Sequence, residues 1–300
     1  MISNFCINRI KKMQKIISKE VKFKDGFGKI HAISTGTVSV KKNFKQAKGG
    51  SMLSKINFMM DKEYTEPLPI WVWVIEHPEG IFLIDTGENA NVNDKGYFKR
   101  EGMILNWINT NQFNFQVEQA EEIGAQLANI NLSPEDIGTV VLTHLHLDHI
   151  DGLKYFKNSE ILVNEYEWKH PSFALPSLYP DWFVPTLVNL QDKQYSAFSK
   201  SLSLTEADDL MLVATPGHTK GHCSVLAISE DHSYFFAGDV TYEQQQLVDE
   251  TFAGAHQDFK LAKNTYQSIK KYATENKTVY LPSHDSQAAV RLIGDISLSQ

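Results

Sequence analysis

The tightest constraint in this chain is a six-residue run, His144-Leu145-His146-Leu147-Asp148-His149, that follows directly on the β-rich segment Thr139–Thr143. Just past a strand end, residues two apart can point the same way, so His144 and His146 can present their imidazoles to one point. Asp148 and His149 then open a new turn and can face a second point nearby. Four imidazole or carboxylate groups in six residues suit zinc and other first-row divalent ions. A polar loop rich in histidine by chance is the alternative, and the order His-x-His-x-Asp-His behind a strand argues against it. A fold that uses this run must bring a buried strand to an edge where other loops arrive with further ligands.

Three such loops are legible. Pro216-Gly217-His218-Thr219 follows the strand run Leu210–Ala214, Gly238-Asp239 follows Tyr234–Ala237, and Ser283-His284-Asp285 follows Thr278–Leu281. In layered α/β folds, sites collect at strand ends. Asp239 by itself is a common turn residue and gains meaning only beside the others. His31, His77, His170, His222, His232 and His256 read as ordinary surface or satisfied core histidines.

The remaining elements follow from periodicity. Ile70–Glu76 and Ile81–Asp85 flank His77-Pro78-Glu79-Gly80 and read as a hairpin. Ile161–Asn164 and Cys223–Ile228 are further short apolar strands. Gln116–Leu127 and Gln257–Asn276 carry apolar residues at steps of three and four and predict helices. Ser133-Pro134-Glu135 reads as a cap with proline in the first turn. Residues 1–28 are Lys-rich and read as an N-terminal arm or a short helix around Ile10, Met13, Ile16 and Ile17, ahead of a single domain over 29–300. Sheets inside and helices outside are the expected layers.

Composition narrows the partners. The 300 residues carry a net charge of −7, without the basic footprint of a nucleic-acid binder. Two cysteines, Cys6 and Cys223, build no disulfide framework and favour a reducing compartment. Lys11, Lys12 and Lys15 interrupt any apolar leader, and no run is long enough to span a membrane. The expectation is a cytoplasmic protein without nucleic-acid or membrane partners.

In content and order, HLHLDH, TPGHT, AGD and SHD, together with Ile84-Asp85-Thr86-Gly87, resemble the metallo-β-lactamase fold superfamily over nearly the whole chain, from about Ile30 to about Arg291. The resemblance implies a four-layer αββα sandwich of the α/β class with the site on one edge of the two sheets. Asp239 resembles the carboxylate that bridges two metals in the hydrolase branches, and true β-lactamases lack it. Only 16 residues follow His284, too few for the C-terminal domain of glyoxalase II. His146 stands where the flavodiiron branch has glutamate.

Within the superfamily the chain is most similar to the N-acyl-homoserine lactone lactonases, the quorum-quenching enzymes. Tyr242, three residues after Asp239, resembles their substrate-carbonyl tyrosine. Asn164-Glu165-Tyr166-Glu167 and Leu68-Pro69-Ile70-Trp71 resemble segments of that family. Lys220 and Ser283 depart from it, standing where proline and glycine are usual.

This likeness implies two divalent ions per chain, zinc first. One would be held by His144, His146 and His218, the other by Asp148, His149 and His284, with Asp239 between them. A shared hydroxide would attack the lactone carbonyl, Tyr242 would stabilise the oxyanion, and Asp148 would deliver a proton. Asp85 would orient a ligand imidazole. The implied partner is a small-molecule N-acyl-homoserine lactone, with a homodimer as a possible assembly. The alternatives are a hydrolase of another neutral ester, lactone or phosphotriester, and a catalytically silent lactone-binding protein. The aromatic stretch Trp168–Trp182 reads either as an apolar wall for an acyl chain or as a loop pinned to the core.

Overall fold

The computed structural model describes residues 15–190 and 193–298. Strands alternate with short helices along the chain. They are β1 (Ile16–Phe23), β2 (Gly26–Val40), β3 (Leu68–His77), β4 (Gly80–Ile84), β5 (Phe113–Gln116), β6 (Thr139–Leu142), β7 (Glu160–Asn164), β8 (Thr186–Val188), β9 (Ser201–Ser203), β10 (Leu210–Ala214), β11 (Cys223–Ile228), β12 (Ser233–Gly238) and β13 (Thr278–Pro282). They form two sheets. The first runs β1-β2-β3-β4-β6-β7-β8, with β5 added on β2, and the second runs β13-β12-β11-β10-β9.

Period-two alternation sorts the apolar residues between layers. Trp71, Trp73, Ile75, Ile84 and Val141 of the first sheet meet Leu212, Val225, Phe236 and Leu281 of the second in one buried cluster. Val72, Val74, Leu83, Val140 and Leu142 point the other way, onto Ile123, Leu127 and Ile150. Leu226, Phe235 and Tyr280 likewise turn outward, onto Tyr266, Ile269 and Tyr272 of the helix Phe259–Glu275. Helix, sheet, sheet and helix are therefore stacked in four layers, the αββα sandwich.

The hairpin β3–β4 closes with His77 opposite Gly80. The long helix starts on Asp258, whose carboxylate accepts from the amides of Lys260 and Leu261, a standard N-cap. Pro134 opens a 3₁₀ turn behind Ser133.

Two local expectations fail. Ile16 and Ile17 lie in a strand, not a helix: Ile17, Val21 and Phe23 alternate into the intersheet core, and β1 pairs with β2 along its whole length. Ile10 and Met13 lie outside the described residues. The helix expected over Gln116–Leu127 is broken. Phe113–Gln116 is recruited as a strand by Thr37–Val40, Glu118 and Glu121 cap a separate 3₁₀ turn, and Glu122 is extended before the helix Ile123–Leu127. Val117 consequently packs with Val92 and Phe98, in a different cluster from Ile123 and Leu127.

Among the described residues no helix is long and apolar enough to cross a membrane.

Candidate metal centre

Both sheets deliver side chains to the same edge. His144, His146, Asp148 and His149 leave the end of β6, His218 follows β10, Asp239 follows β12, and His284 follows β13. Their ring nitrogens and carboxylate oxygens form groups within 4.8 Å: His144, His146 and His218; His144, His149 and Asp239; Asp148, His149 and His284. All seven residues the sequence singled out as ligands thus converge.

Asp239 lies between the groups. Its Oδ2 is 3.5 Å from His218 Nε2, while its Oδ1 is 3.3 Å from His149 Nε2 and 3.4 Å from His284 Nε2. Asp148 Oδ2 is 3.3 Å from His284 Nε2. These separations match the edge of a tetrahedron, about 3.3 Å when each arm is a zinc–nitrogen bond of roughly 2.0–2.1 Å. The buried atoms His144 Nε2, His149 Nε2 and Asp239 Oδ1 have no hydrogen-bond partner. A buried polar atom without a partner is costly, and a cation at the focus of these atoms would relieve all three. The donor set therefore fits metal ions.

The surrounding hydrogen bonds hold the rings in the tautomers that such ions require. His149 Nδ1 donates to Asp85 Oδ2 at 2.7 Å and His284 Nδ1 to the Pro69 carbonyl at 2.9 Å, leaving both Nε2 atoms free. His146 is turned round: its Nε2 donates to the Ser172 carbonyl at 3.0 Å, so that its Nδ1 faces His218 Nε2 at 2.9 Å. The Thr143 hydroxyl donates to Asp85 Oδ2 and so accepts from His144 Nδ1. A single carboxylate, itself at a left-handed φ of 59°, thereby sets two imidazoles, one directly and one through a hydroxyl.

Electrostatics divide the cluster. Burial and the neighbouring imidazoles push His144 well below the usual histidine range, and burial does the same to His218. Burial opposes charge on His149 and His284 too, yet their carboxylate neighbours win: His149 is raised well above its ordinary value and His284 to about 10. The site is rich in negative charge around these two rings, and a proton there does part of the work of a cation. Burial, with Asp239 and Asp148 nearby, pushes the Tyr242 hydroxyl well above 10, so it stays protonated and can donate.

A cavity of about 350 Å³ opens over the cluster. His146, Asp148, His218, Asp239, Tyr242 and His284 line its floor, and Val38, Val40, Phe44, Met59, Ile108, Phe113 and Phe115 line its walls. The Tyr242 ring stacks on His284 with centroids 5.3 Å apart.

The sequence pattern of the Metallo-beta-lactamase superfamily matches residues 65–284. The chain belongs to this superfamily. An N-acyl homoserine lactonase of Bacillus thuringiensis subsp. kurstaki is 27% identical over 256 residues, covering 83% of this chain and 94% of that protein. One from Rhizobium radiobacter is 23% identical over 282 residues, covering 87% and 94%. A solved N-acyl homoserine lactone hydrolase, holding the product N-hexanoyl-L-homoserine at its catalytic metal centre, superposes with a TM-score of 0.70 at 21% identity. That alignment covers 90% of this chain and 95% of that one.

Two histidines read in the sequence as ordinary or satisfied core residues are buried beside the centre. His222 is fully buried; its Nδ1 meets the Thr215 hydroxyl at 2.9 Å and its Nε2 accepts from the Asp239 amide at 3.1 Å. Burial holds it down to about 3, so it remains a neutral acceptor that fixes the backbone of Asp239. Gly238, at φ +54°, makes this contact feasible, because a Cβ there would sit 2.7 Å from His222 Nε2. The spacing His218-x-x-x-His222 was a visible signal. His256 lies behind His218 with ring centroids 5.8 Å apart.

The aromatic stretch splits. Phe173 lines the cavity, whereas Trp168, Tyr179 and Trp182 pack against the outer face of the first sheet. Most of the apolar wall comes instead from β2, β5 and the segments beside them.

Proposed function

We propose that this protein hydrolyses the lactone ring of N-acyl-homoserine lactones, the activity named for its curated relatives, at a two-metal centre. The observation that carries the reading is the composition of the cavity. A histidine–aspartate floor with a protonated phenol lies under walls that are mostly apolar, with Asn109, Ser172 and Gln257 as their polar members. This suits a neutral ester bearing a hydrocarbon tail and disfavours polyanions.

In this reading His144, His146 and His218 would hold one divalent ion, and Asp148, His149 and His284 the other, with Asp239 reaching both. Asp85, Asp148 and Asp239 would supply three negative charges, and with His149 and His284 giving up their extra protons to act as neutral ligands the balance suits two divalent cations, zinc first. Such a pair supplies an activated water at neutral pH and Lewis-acid polarisation of oxygen.

The chain's own groups do the rest. Tyr242 donates to the substrate carbonyl oxygen and strengthens that bond as negative charge develops there. Asp148, ionised and open to the cavity, takes a proton from the attacking water and passes it to the ring oxygen as the carbon–oxygen bond breaks. Val38, Val40, Phe113 and Phe115 bind the acyl chain and exclude water. Water is added across the ester, and the product is the open hydroxy acid.

Ring opening releases a proton at neutral pH. A pH-stat panel of lactones, with metal content measured on the same sample, tests the proposal. The expected result is proton release with acyl-homoserine lactones and about two ions per chain. Two bound ions with no lactone turned over would refute the substrate, and one ion or none in active protein would refute the two-metal centre.

A further inference from the structure

Two helices beside the cavity mouth are turned apolar side out. In Ser51–Met60, Ser54 is buried against the body of the protein, while Leu53, Ile56 and Met60 form a stripe at steps of three and four that is 61%, 51% and 74% exposed. In Gly102–Gln112, Met103 and Ile104 are 89% and 75% exposed, and Trp107 is beside them. The amphipathic helix of a globular domain faces the other way. The helices are neighbours: the Tyr64 hydroxyl donates to the Asn111 carbonyl at 2.7 Å, and Met59 and Ile108 line the same cavity. Phe173, exposed at a left-handed φ of 55°, extends the patch across the mouth.

The charge around this patch is opposite to that of the chain. From Lys41 to Lys62 the sequence holds six lysines and one aspartate, in a protein of net charge −7. Of these lysines, Lys41 is buried over the Tyr64 ring, and Lys42 and Lys45 pair with Glu63 and Glu243, which leaves Lys48 exposed beside the stripe. Lys62, Lys95, Lys99 and Arg100 are exposed and enter none of the ion pairs among the described residues. An apolar stripe flanked by cations is the pattern of a surface that lies in a lipid headgroup layer, with the apolar side chains inserted and the cations on anionic lipids.

We propose that the face around the cavity mouth docks on an anionic phospholipid bilayer, with Leu53, Ile56, Met103 and Ile104 inserted at the headgroup level. The docking does not depend on the lactone reading. If both hold, the mouth opens toward the phase in which an acyl-chain substrate concentrates.

The test is sedimentation of the full chain with vesicles of phosphatidylglycerol and phosphatidylcholine, against phosphatidylcholine alone, at low and high salt. The expected result is binding to the anionic vesicles that falls steeply as salt is raised. Leu53→Ser with Ile104→Ser removes insertion, and Lys99→Glu with Arg100→Glu removes charge attraction. Each pair should lower the partition coefficient about tenfold or more. Light scattering is read on the same samples. These four residues lie outside the cavity lining, so circular dichroism and metal content should not change. No sedimentation with anionic vesicles would overturn the proposal, as would binding that ignores both pairs of substitutions. A stable dimer dissolved by Leu53→Ser with Ile104→Ser, without vesicle binding, would assign the face to a second copy of the chain and overturn it equally.

Discussion

Replacing Asp85 by asparagine tests how far the metal centre depends on a residue that touches no metal. The Asp85 carboxylate accepts from the Thr143 amide at 2.8 Å, the Thr143 hydroxyl at 2.9 Å and His149 Nδ1 at 2.7 Å. An amide of the same shape has one acceptor and one donor end. Whichever way it turns, a donor faces either the Thr143 amide or the His149 ring. The ring relieves the clash by moving its proton to Nε2, the atom that must be bare to bind a cation. Losing a hydrogen bond to a charged group costs about 1.5–3 kcal/mol, and 1.36 kcal/mol is a factor of ten. The ion held with His149 should therefore bind about ten- to a hundredfold more weakly. In the proposed two-metal centre, the ion held by His144, His146 and His218 would feel the change only through the Thr143 hydroxyl and should weaken less. The assay is stepwise titration of metal-free protein with cobalt or zinc against a chromophoric chelator, beside His31→Gln as a distant control. Two unshifted binding steps in Asp85→Asn, or a shift that the control reproduces, would refute the reasoning.

Three further outcomes follow from the same geometry. Asp239→Asn should cost far more activity than Tyr242→Phe, whose loss should be about 10²–10³ in kcat if it removes one oxyanion donor; steady-state kinetics with metal content measured will tell them apart, and equal losses with metal retained would mean that Asp239 does not join the two groups. Phe113→Ala should lower kcat/KM for long acyl chains more than for short ones, because each buried methylene contributes about 0.8 kcal/mol, roughly a factor of four, whereas Trp182→Ala should lower the melting temperature and affect all chain lengths alike. Below pH 6.5 the unfolded chain protonates histidines that His222, at about 3, and His256, at about 4, keep neutral in the fold. Stability of the metal-free protein should therefore fall as pH is lowered from 6.5 toward 4, by up to about 1.4 kcal/mol per pH unit for each. Urea titrations should show a shallower fall for His222→Gln, and an unchanged slope would contradict a neutral His222.

What could be read from the sequence follows from how local each signal is. The convergence of histidines and aspartates at strand ends was legible because a short apolar run and the polar residues after it are contiguous, as in Thr139–His149. The two-sheet core was legible through alternation, as in Ile70–Glu76. The helix expected over Gln116–Leu127 failed because apolar steps of three and four describe which residues are buried, not that they share one neighbour. Val117 and Ile123 are both buried, in different clusters. The cavity walls were out of reach for a related reason. Val38 meets Phe115 and Val40 meets Phe113 only when β5 docks on β2, a pairing of residues more than seventy positions apart in the sequence, with no local signature. The aromatic stretch Trp168–Trp182 left two readings open, and it divides between them, Phe173 lining the cavity while Trp168, Tyr179 and Trp182 pack on the first sheet. His222, read in the sequence as an ordinary or satisfied core histidine, is buried and satisfied; what the sequence did not carry is that the amide it accepts from belongs to Asp239, a contact made only when β12 ends beside it.

The division of the centre between the two sheets has a mechanical meaning. Four of its groups are anchored to one sheet, and His218, Asp239 and His284 to the other. The separations that cross between them, 3.3 Å from His149 to Asp239 and from His284 to Asp148 and 2.9 Å from His218 to His146, hold only while the sheets keep their spacing, and Trp73 against Phe236, with ring centroids 5.3 Å apart, is one of the contacts that set it. The interior thus works as the frame of a caliper whose jaws are the candidate metal-binding side chains. Trimming Trp73 in the middle of the frame would change the gap at the jaws, and ion binding would register a repacking that no ligand touches.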